Sequence, residues 1–365
     1  MKRILFLVAH RQGRSPGQRF RFEQYLGFLQ QNGFSCEISF LLNEQDDAVF
    51  YSKGHYFKKL LIYLKSLRIR RRDVLRSSEF DLVFIYREAL MTGSVHFERK
   101  MKKRSAKIVL DFDDAIWVPD VSPGNKNLQW LKKPSKTAEI LNLSEMVFVG
   151  NRYLADYASG FNQNVKIIPS TIETDIFKRK HIKHSTEKIC IGWTGSRTTM
   201  KHFCLALPVL QKIMEKFPGR IIVRLISDVN YSGNEIEVDF CKWNKESETD
   251  DLSEIDIGIM PLPDDEWARG KCGFKGLQYM SLEIPTIMSP VGVNSEIIQD
   301  GENGFLASTE TEWIDKLSAL IESPELREHI GKNGRKTVVE KYSYYAWKEK
   351  YLEYFEELLS EKDHS

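Results

Sequence analysis

Cysteine is scarce in this sequence, and long apolar runs are absent. The five cysteines among 365 residues, Cys36, Cys190, Cys204, Cys241 and Cys272, are widely spaced and form no Cys-x-x-Cys pair. A disulfide scaffold or a structural zinc site is therefore not expected, and a reducing cytosol is the expected compartment. No stretch reaches the ~18 uninterrupted apolar residues of a spanning helix, so any membrane contact is expected to be peripheral. Residues 1–10 lack a small-residue cleavage site, which favours a buried strand over a signal peptide.

Charged residues are numerous but unevenly distributed. The hydrophobic fraction of 42% and the charged fraction of 28% exclude collagen-like, low-complexity and wholly disordered proteins. Residues 1–165 carry 27 basic and 17 acidic side chains, a net charge of +10, whereas residues 166–365 carry 26 and 34, a net charge of −8. A basic half joined to an acidic half indicates a different partner for each half.

Short apolar runs alternate with segments of helical period, which predicts parallel sheets covered by helices on both faces. The strands predicted first are Ile4–Val8, Cys36–Leu41, Leu82–Ile85, Ile108–Asp111 and Met146–Val149, with helices at Phe20–Gln31, Phe57–Arg76 and Lys132–Leu143. After Gly150 the pattern restarts, with strands at Lys166–Ile168, Ile189–Trp193, Ile221–Ile226, Ile255–Met260, Thr286–Ser289 and Phe305–Ala307, and helices at Met200–Lys216, Phe274–Leu282, Thr311–Ile321 and Pro324–Lys341.

This pattern predicts two Rossmann-like domains in an α/β fold, over residues 1–168 and 169–341. A polar linker is expected between Ile168 and Lys188. The last segment, residues 342–365, is predicted to form a helix that packs back toward the first domain. Two such domains place a cleft between the carboxyl ends of their sheets, where ligands of open parallel sheets bind.

The loop after the first strand, Arg11–Arg19, contains three arginines but no Gly-x-Gly-x-x-Gly motif. A dinucleotide-binding dehydrogenase is therefore disfavoured. Two interpretations of the loop remain open: an anion-binding loop that faces a ligand, or a solvated basic loop.

Three carboxylates, Asp111, Asp113 and Asp114, follow an apolar strand directly. Carboxylates this close repel one another unless they meet a cation, sugar hydroxyls or hydrogen-bond donors, which favours a functional role at the carboxyl end of the strand. The structural alternative is that one aspartate caps the following turn while the others face water.

A third loop, Gly192–Lys201, joins the first strand of the second domain to its helix. Its small and hydroxylated residues, Gly195 and Ser196 among them, are expected to expose backbone N–H groups to a phosphate. Arg197 and Lys201 add positive charge. The Gly-Lys-Ser/Thr ending of a P-loop is missing, so this signal is weak by itself.

The most specific signal lies in residues 261–304. Lys271 and Lys275 are four residues apart in a glycine-rich setting, so they are predicted to share one face at a helix start and to clamp a diphosphate. The alternative is a solvated lysine pair.

Residues 261–304 resemble the carboxyl-terminal domain of glycosyltransferase family 4. The resemblance extends to Val165–Phe177 and Gly192–Ser196, and Asp111–Trp117 resembles an Asp-rich variant of some bacterial members. The family has the GT-B fold, two Rossmann-like domains facing a cleft. The resemblance implies retaining transfer from a nucleotide-diphosphate sugar to a glycan or lipid-linked acceptor in bacterial glycan assembly. It implies neither a bound metal nor a cofactor other than the donor.

By this analogy the Gly195–Ser196 turn and the cationic side chains stabilise the leaving diphosphate in place of a metal. Those side chains are Arg197, Lys201, Lys271 and Lys275. Of the two family glutamates separated by seven residues, the first falls on Gly270 and the second on Gln278, which is expected to hydrogen-bond a ribose hydroxyl. Four carboxylates are candidates to replace the missing first glutamate: Glu266, Asp111, Asp113 and Asp114.

The segment Lys58–Arg72 alternates apolar and basic residues at helical period, and Arg99–Arg104 adds a second basic cluster. This pattern is typical of a helix docked on an anionic membrane surface, which favours a peripheral position on the inner face of the cytoplasmic membrane. The alternative is a helix that covers the first sheet with its cationic side chains in water. Nucleic-acid binding is disfavoured because no module of that kind is present.

Two functions of different classes follow from the sequence. The first is a metal-independent retaining glycosyltransferase. The second is a catalytically inactive nucleotide-sugar-binding subunit of a glycan-assembly complex, which Gly270 and Gln278 favour. A sugar-nucleotide epimerase of the same fold is disfavoured, because the distinctive carboxylates and histidine that its reaction requires are not apparent.

Overall fold

A computed structural model describes residues 1–104, 106–118, 127, 133, 135–178 and 188–360. The chain divides into two compact units. Unit 1 contains Met1–Ser170 together with Trp347–Ser365, and unit 2 contains Thr171–Ala346. Residues 179–187, the second part of the expected linker, lie outside the described residues.

Unit 1 is built on a six-stranded parallel sheet with the strand order β2-β1-β3-β4-β5-β6. Its strands are β1 (Lys2–His10), β2 (Phe34–Leu42), β3 (Leu82–Tyr86), β4 (Lys107–Phe112), β5 (Met146–Val149) and β6 (Val165–Ile167). The central strands are buried on both faces, as expected for a sheet covered by helices. The sequence pattern groups the strand at Lys166–Ile168 with the strands after Gly150, although the predicted first domain extends to residue 168; in the structure β6 pairs with β5 in the first sheet.

Helices and short turns connect these strands. The helices are α1 (Pro16–Arg21), α2 (Leu26–Gln31), α3 (Glu44–Phe50), α4 (Tyr56–Arg76), α5 (His96–Lys103), α6 (Ser135–Leu143) and α7 (Arg152–Ser159), with 3₁₀ turns at Glu23–Tyr25 and Ser77–Glu79. The single helix predicted over Phe20–Gln31 is interrupted at Phe22, which has a φ of −140°. That conformation directs the Phe22 ring into the core, where it stacks on Phe6 with the ring centroids 5.1 Å apart. Lys132, the expected start of α6, lies outside the described residues.

Unit 2 is a second six-stranded parallel sheet, with the order β12-β11-β10-β7-β8-β9. Its strands are β7 (Ile189–Gly195), β8 (Ile221–Ser227), β9 (Asp239–Lys242), β10 (Ile257–Met260), β11 (Thr286–Met288) and β12 (Phe305–Leu306). Its helices are α8 (Met200–Leu205), α9 (Leu207–Lys216), α10 (Glu248–Ser253), α11 (Glu266–Arg269), α12 (Phe274–Ser281), α13 (Asn294–Ile297), α14 (Glu310–Glu322) and α15 (Pro324–Lys341). The predicted α/β class with two parallel sheets is therefore confirmed.

Two features of unit 2 differ from the sequence-based prediction. The helix expected over Met200–Lys216 breaks at Ala206, because Pro208 lacks a backbone N–H and fits only in the first turn of a new helix. Strand β9 was not predicted. It is a partly exposed edge strand whose sequence, DFCK, lacks the apolar run of a buried strand.

The final helix, α16 (Tyr344–Ser360), contributes to the core of unit 1. Tyr351 is 1% exposed and stacks on Tyr25 with a centroid separation of 4.2 Å. Phe355 packs against Phe148 at 5.6 Å. Tyr351 and Phe355 are therefore core residues of unit 1.

In the part of the chain that the structure describes, no helix combines the length and the apolar character needed to span a bilayer.

Candidate functional sites

The first candidate site lies where the strand order of unit 1 changes direction. Strands β1 and β3 are neighbours in the sheet. The strand that follows β1 in the chain, β2, lies on one side of this pair, and the strand that follows β3, β4, lies on the other side. The loops that leave the carboxyl ends of such strands form the usual ligand crevice of an open parallel sheet. Gly17 lies in the connection after β1, and Arg87 follows β3. The next strand, β4, leads into Asp113.

Gly17 lies directly against the hydroxyl of Tyr86. A Cβ atom at position 17 would be 2.0 Å from Tyr86 Oη and 3.0 Å from Asp113 Oδ2. Only glycine therefore fits without displacing these groups. Tyr86 donates a 2.8 Å hydrogen bond to Asp113 Oδ1, so the glycine permits this contact.

Arg87 links two of the predicted carboxylates. Its guanidinium forms ion pairs with Asp113, at 2.6 Å, and with Asp114. The backbone of Arg87 is left-handed, with a φ of 65°, and its N–H donates a 2.7 Å hydrogen bond to the Asp111 carbonyl. This bond to the neighbouring strand holds a conformation that costs a non-glycine residue roughly 1–2 kcal/mol.

The charge state of Asp113 is set by competing effects. Burial acts to raise the pKa of its carboxyl, but the positive charges of Arg87 and Arg21 and the hydrogen bonds from Arg87 and Tyr86 outweigh burial. The net pKa of Asp113 is therefore below its ordinary value. Its side chain retains 13% exposure, so Asp113 is an ionised carboxylate that still reaches solvent.

Asp111 does not reach solvent. Its side chain and that of Arg21 are each 1% exposed, and the two form an ion pair in which Arg21 Nε lies 3.2 Å from both carboxylate oxygens. The same guanidinium donates to the Ile168 carbonyl. Burial raises the pKa of Asp111, and Arg21 opposes the rise. Burial against Arg21 does not favour the predicted catalytic role of Asp111, which stays a prediction, and its contacts favour support of the loop.

Two of the three arginines of the 11–19 loop are already engaged by carboxylates. Arg11 and Arg14 both pair with Asp47 of α3, which is 7% exposed. His10 Nδ1 lies 3.7 Å from the same carboxylate. Burial lowers the pKa of His10 to about 4, although Asp47 acts in the opposite direction. These contacts do not favour the anion-binding interpretation of the loop.

The second candidate site lies at the corresponding position in unit 2, between β7 and β10. Gly195 ends β7, and Ser196 and Arg197 follow it as exposed residues. The expected open phosphate cradle is not formed here. The Ser196 N–H donates to Thr199 Oγ1 at 3.0 Å, and the Arg197 N–H donates to Asp228 at 2.7 Å. Both of these amides are therefore occupied within the loop.

Lys201, Lys271 and Lys275 lie close enough to one buried histidine to influence its charge. His202 is 2% exposed, and within the described residues neither of its ring nitrogens has a hydrogen-bond partner. Burial lowers its pKa to about 3, and the charges of Lys275, Lys271 and Lys201 act in the same direction. The charges of the three predicted lysines therefore all act against protonation of this one buried imidazole. His202 is not among the predicted site residues, although it directly follows Lys201.

The two predicted clamp lysines do not share a helix face. Gly273 caps α12 with a left-handed φ of 66°, so Lys271 lies before the helix and Lys275 in its first turn. Lys271 Nζ lies 4.7 Å from the centroid of the Trp267 ring, and Lys275 Nζ lies 5.8 Å from that of Trp193. The prediction that Lys271 and Lys275 share one helix face is therefore wrong. The charges of both lysines still lower the pKa of His202.

Gln278 is buried at 2% exposure and donates a 3.1 Å hydrogen bond to Glu248 Oε1. Trp243 Nε1 donates to the same oxygen at 3.1 Å. The expected ribose contact of Gln278 is therefore not supported, because its amide positions Glu248. Glu266 is the exposed first residue of α11, and its neighbour Asp265 caps that helix.

Both sites lie at the points expected of a nucleotide-binding α/β protein with two sheets. No curated protein matches this sequence. Residues 233–337 match the family described as "Glycosyl transferases group 1". This segment includes Glu266, Lys271, Lys275 and Gln278.

Solved structures resemble nearly the whole chain. Sucrose-phosphate synthase from Thermosynechococcus elongatus has a TM-score of 0.71 at 12% identity, covering 99% of this chain and 100% of its own. HepE from Anabaena, solved with UDP and glucose, has a TM-score of 0.64 at 13% identity, covering 98% and 100%. TarM from S. aureus, solved with fondaparinux, α-GlcNAc-glycerol and UDP, has a TM-score of 0.57 at 17% identity, covering 80% and 59%.

These likenesses show that the fold is GT-B, with two Rossmann-like units. Together with the family match over residues 233–337, they support a glycosyltransferase.

The buried ion pair between Arg21 and Asp111 allows a test of whether Asp111 supports the structure or takes part in catalysis. Asp111→Asn leaves the Arg21 guanidinium buried without its counter-ion, so we expect the free energy of unfolding to fall by about 3–5 kcal/mol. Chemical denaturation measures the loss. The specific activity of the fraction that remains folded is expected to stay near that of the parent protein.

The matched control is Asp156→Asn, which breaks the exposed ion pair with Arg152 in the same unit. Its cost is expected to be below about 1 kcal/mol. A stable but inactive Asp111→Asn protein would show that Asp111 takes part in the reaction.

Proposed function

We propose that the chain is a retaining, metal-independent glycosyltransferase that moves a sugar from a nucleotide-diphosphate sugar to a glycan or lipid-linked acceptor. The observation that carries the proposal is the position of Lys201, Lys271 and Lys275 in the segments that follow β7 and β10, where Lys271 lies against the Trp267 ring and Lys275 against the Trp193 ring. HepE was solved with UDP and glucose, and TarM with UDP and glycan ligands, which supports a nucleotide-sugar donor and a glycan acceptor here.

The lysines supply the chemistry that sugar transfer from a diphosphate requires. Cleavage of the bond between the sugar and the phosphate leaves negative charge on the nucleoside diphosphate. Fixed ammonium groups stabilise that charge in the transition state, which lowers the barrier as long as they are already in place. Trp193 and Trp267 lie beneath the two lysine head groups and help to fix their position.

His202 follows Lys201 directly and is a buried, neutral imidazole. Its low pKa keeps the ring uncharged at neutral pH, so one ring nitrogen carries a proton and the other does not. A buried imidazole without a partner is unfavourable. Both ring nitrogens are sealed from the surface, so we assign His202 to the surroundings of the lysines and not to direct contact with phosphate.

Asp113 is the proposed acceptor-side residue. It is ionised, partly exposed and held by Tyr86 and Arg87, so it is suited to orient a hydroxyl group. Asp114 shares Arg87 and remains an alternative. Glu266, exposed at the start of α11, remains a candidate for the contact with the transferred sugar.

A nucleotide-sugar-binding subunit without catalysis is the second candidate function. It is favoured by the absence of a carboxylate at position 270 and by the burial of Gln278. Purified protein incubated with nucleotide sugars separates the two functions. The enzyme releases nucleoside diphosphate by transfer or slow hydrolysis, and NMR of the anomeric proton in the product tests retention. The binding subunit gives saturable donor binding without turnover.

Loss of either clamp lysine is expected to weaken donor binding. Each charge-assisted contact to phosphate contributes about 1.5–3 kcal/mol, so Lys271→Ala and Lys275→Ala are each expected to raise the Kd for UDP, GDP or ADP about 10- to 150-fold. Calorimetry with whichever diphosphate binds the parent protein measures this change. Lys332→Ala, which removes an exposed lysine of unit 2 paired with Glu328, is the control and should bind normally. Unchanged affinity in both clamp variants would contradict the proposed site.

Asp113→Asn is expected to lower turnover by about 100-fold or more while donor binding, which we assign to unit 2, stays unchanged. Tyr86→Phe removes only the hydrogen bond to Asp113 and should have a smaller effect. Turnover and diphosphate affinity are measured on both variants, with the unfolding midpoint as a check on folding. Normal turnover in Asp113→Asn rules out its role at the reaction centre.

Transfer activity is expected to survive chelation. The ammonium groups already supply the positive charge that a divalent cation would bring to the diphosphate, and Asp113 and Asp114 are paired with Arg87. The assay is repeated after dialysis against EDTA. Loss of activity with recovery on adding Mn²⁺ or Mg²⁺ would show that metal independence is wrong.

A further inference from the structure

The outward face of α4 is apolar where a surface helix is normally polar. The side chains that α4 buries include Ile62, Ser66, Arg70 and Asp73, which recur at helical spacing on one side. At 3.6 residues per turn, the opposite side carries Phe57 and the leucines that follow it. Helix α4 thus presents apolar side chains to solvent as well as burying Ile62 and Val74.

Four large side chains form one stripe on this outward side. Phe57, Leu60, Leu61 and Leu64 are 72%, 51%, 50% and 51% exposed, and their spacing of three and four residues places them side by side over two turns. Single exposed leucines are ordinary, but a contiguous apolar stripe marks an interaction surface.

Exposed cations surround and continue the stripe. Lys58 lies beside it, and Arg68, Arg71 and Arg72 follow toward the C-terminus of the helix. The single acidic residue of α4, Asp73, is 0% exposed and paired with the buried Arg70. The exposed charge that α4 itself contributes is therefore entirely positive.

A second basic helix lies beside the first. Helix α5 packs against α4 and exposes Lys100 and Lys103. Arg104, directly after α5, donates a 3.2 Å hydrogen bond to the Leu75 carbonyl of α4. The positive region therefore extends beyond one helix within unit 1.

We propose that the outward face of α4, defined by Phe57, Leu60, Leu61 and Leu64 with Arg68, Arg71 and Arg72, docks on an anionic lipid bilayer. A helix with an apolar stripe and flanking cations lies in the plane of the interface, with its apolar side chains among the upper acyl chains and its cations at the phosphates. Anionic lipids are the matching partner, since the cytoplasmic leaflet attracts basic segments.

Charge argues against a second copy of the chain as the occupant. Two copies that paired their apolar stripes would also bring the arginines of both helices into one interface with no acidic residue of α4 exposed to compensate. Like charges brought together at an interface oppose association. A bilayer supplies both a low-dielectric interior for the stripe and negative charge for the arginines.

The test is sedimentation of the full chain with vesicles. We expect binding to vesicles that contain about one third phosphatidylglycerol and little or none to pure phosphatidylcholine, with binding weakened by salt. The combined variant Phe57→Ser, Leu60→Gln, Leu61→Gln and Leu64→Gln is expected to reduce the partition coefficient at least about tenfold. Arg68→Gln, Arg71→Gln and Arg72→Gln together should lower binding mainly at low salt.

Leu205→Gln with Val339→Gln is the matched control, because both are exposed apolar residues of unit 2, at 49% and 43%. This variant should bind vesicles as the parent protein does. Unfolding midpoints confirm that all variants fold, as expected for exposed positions. Failure of the parent protein to bind anionic vesicles, or normal binding by the apolar variant, overturns the proposal. A dimer in sedimentation velocity that the apolar substitutions dissociate, without vesicle binding, would assign the face to a second copy.

This test is independent of the proposed transferase activity, because vesicle binding is measured without donor or acceptor. A protein that binds vesicles but transfers no sugar retains the docking surface and loses the proposed function.

Discussion

The buried ion pair between Arg21 and Asp111 holds the first candidate site together. It joins the end of α1 to the end of β4, and the same guanidinium reaches the Ile168 carbonyl near the end of the unit's main segment. The Asp111 carbonyl in turn accepts the N–H of Arg87. One buried charge pair thus joins α1 to the loop after β4 that carries Asp113. Burying two charges is unfavourable unless geometry and hydrogen bonds are good, so this pair restricts the loops to few arrangements.

Much of the fold could be predicted because buried parallel strands have a strong sequence signal. Strand β5 and helix α15 have the predicted bounds, and the helix predicted over Phe57–Arg76 begins one residue earlier. Short apolar runs and capping residues are local properties, so they are visible in one segment. Strand β6 belongs to the first sheet because it pairs with β5. Pairing involves a second segment of the chain, so the sequence of β6 alone does not show it.

The roles of individual site residues were harder to predict for the same reason. Asp111 and Asp113 are two residues apart and chemically identical, yet one is sealed against Arg21 and the other reaches solvent. Gln278 lies on a helix face that meets Glu248, thirty residues earlier in the chain. The diphosphate contact of Lys201, Lys271 and Lys275 stays a prediction. The partner of a buried hydrogen bond depends on the packing around it, which a local sequence pattern does not show.

The division of the chain has a consequence for how it folds during synthesis. Unit 1 needs residues from both sides of unit 2: Tyr25 and Phe148 come before it, and Tyr351 and Phe355 come after it. The ribosome therefore completes unit 2 before it releases the last helix of unit 1. Until then the aromatic side chains around Phe148 are not covered by α16. Chaperones bind, and aggregation begins, at exposed apolar surface of this kind. Unit 1, whose synthesis begins first, is therefore the unit that completes its fold last.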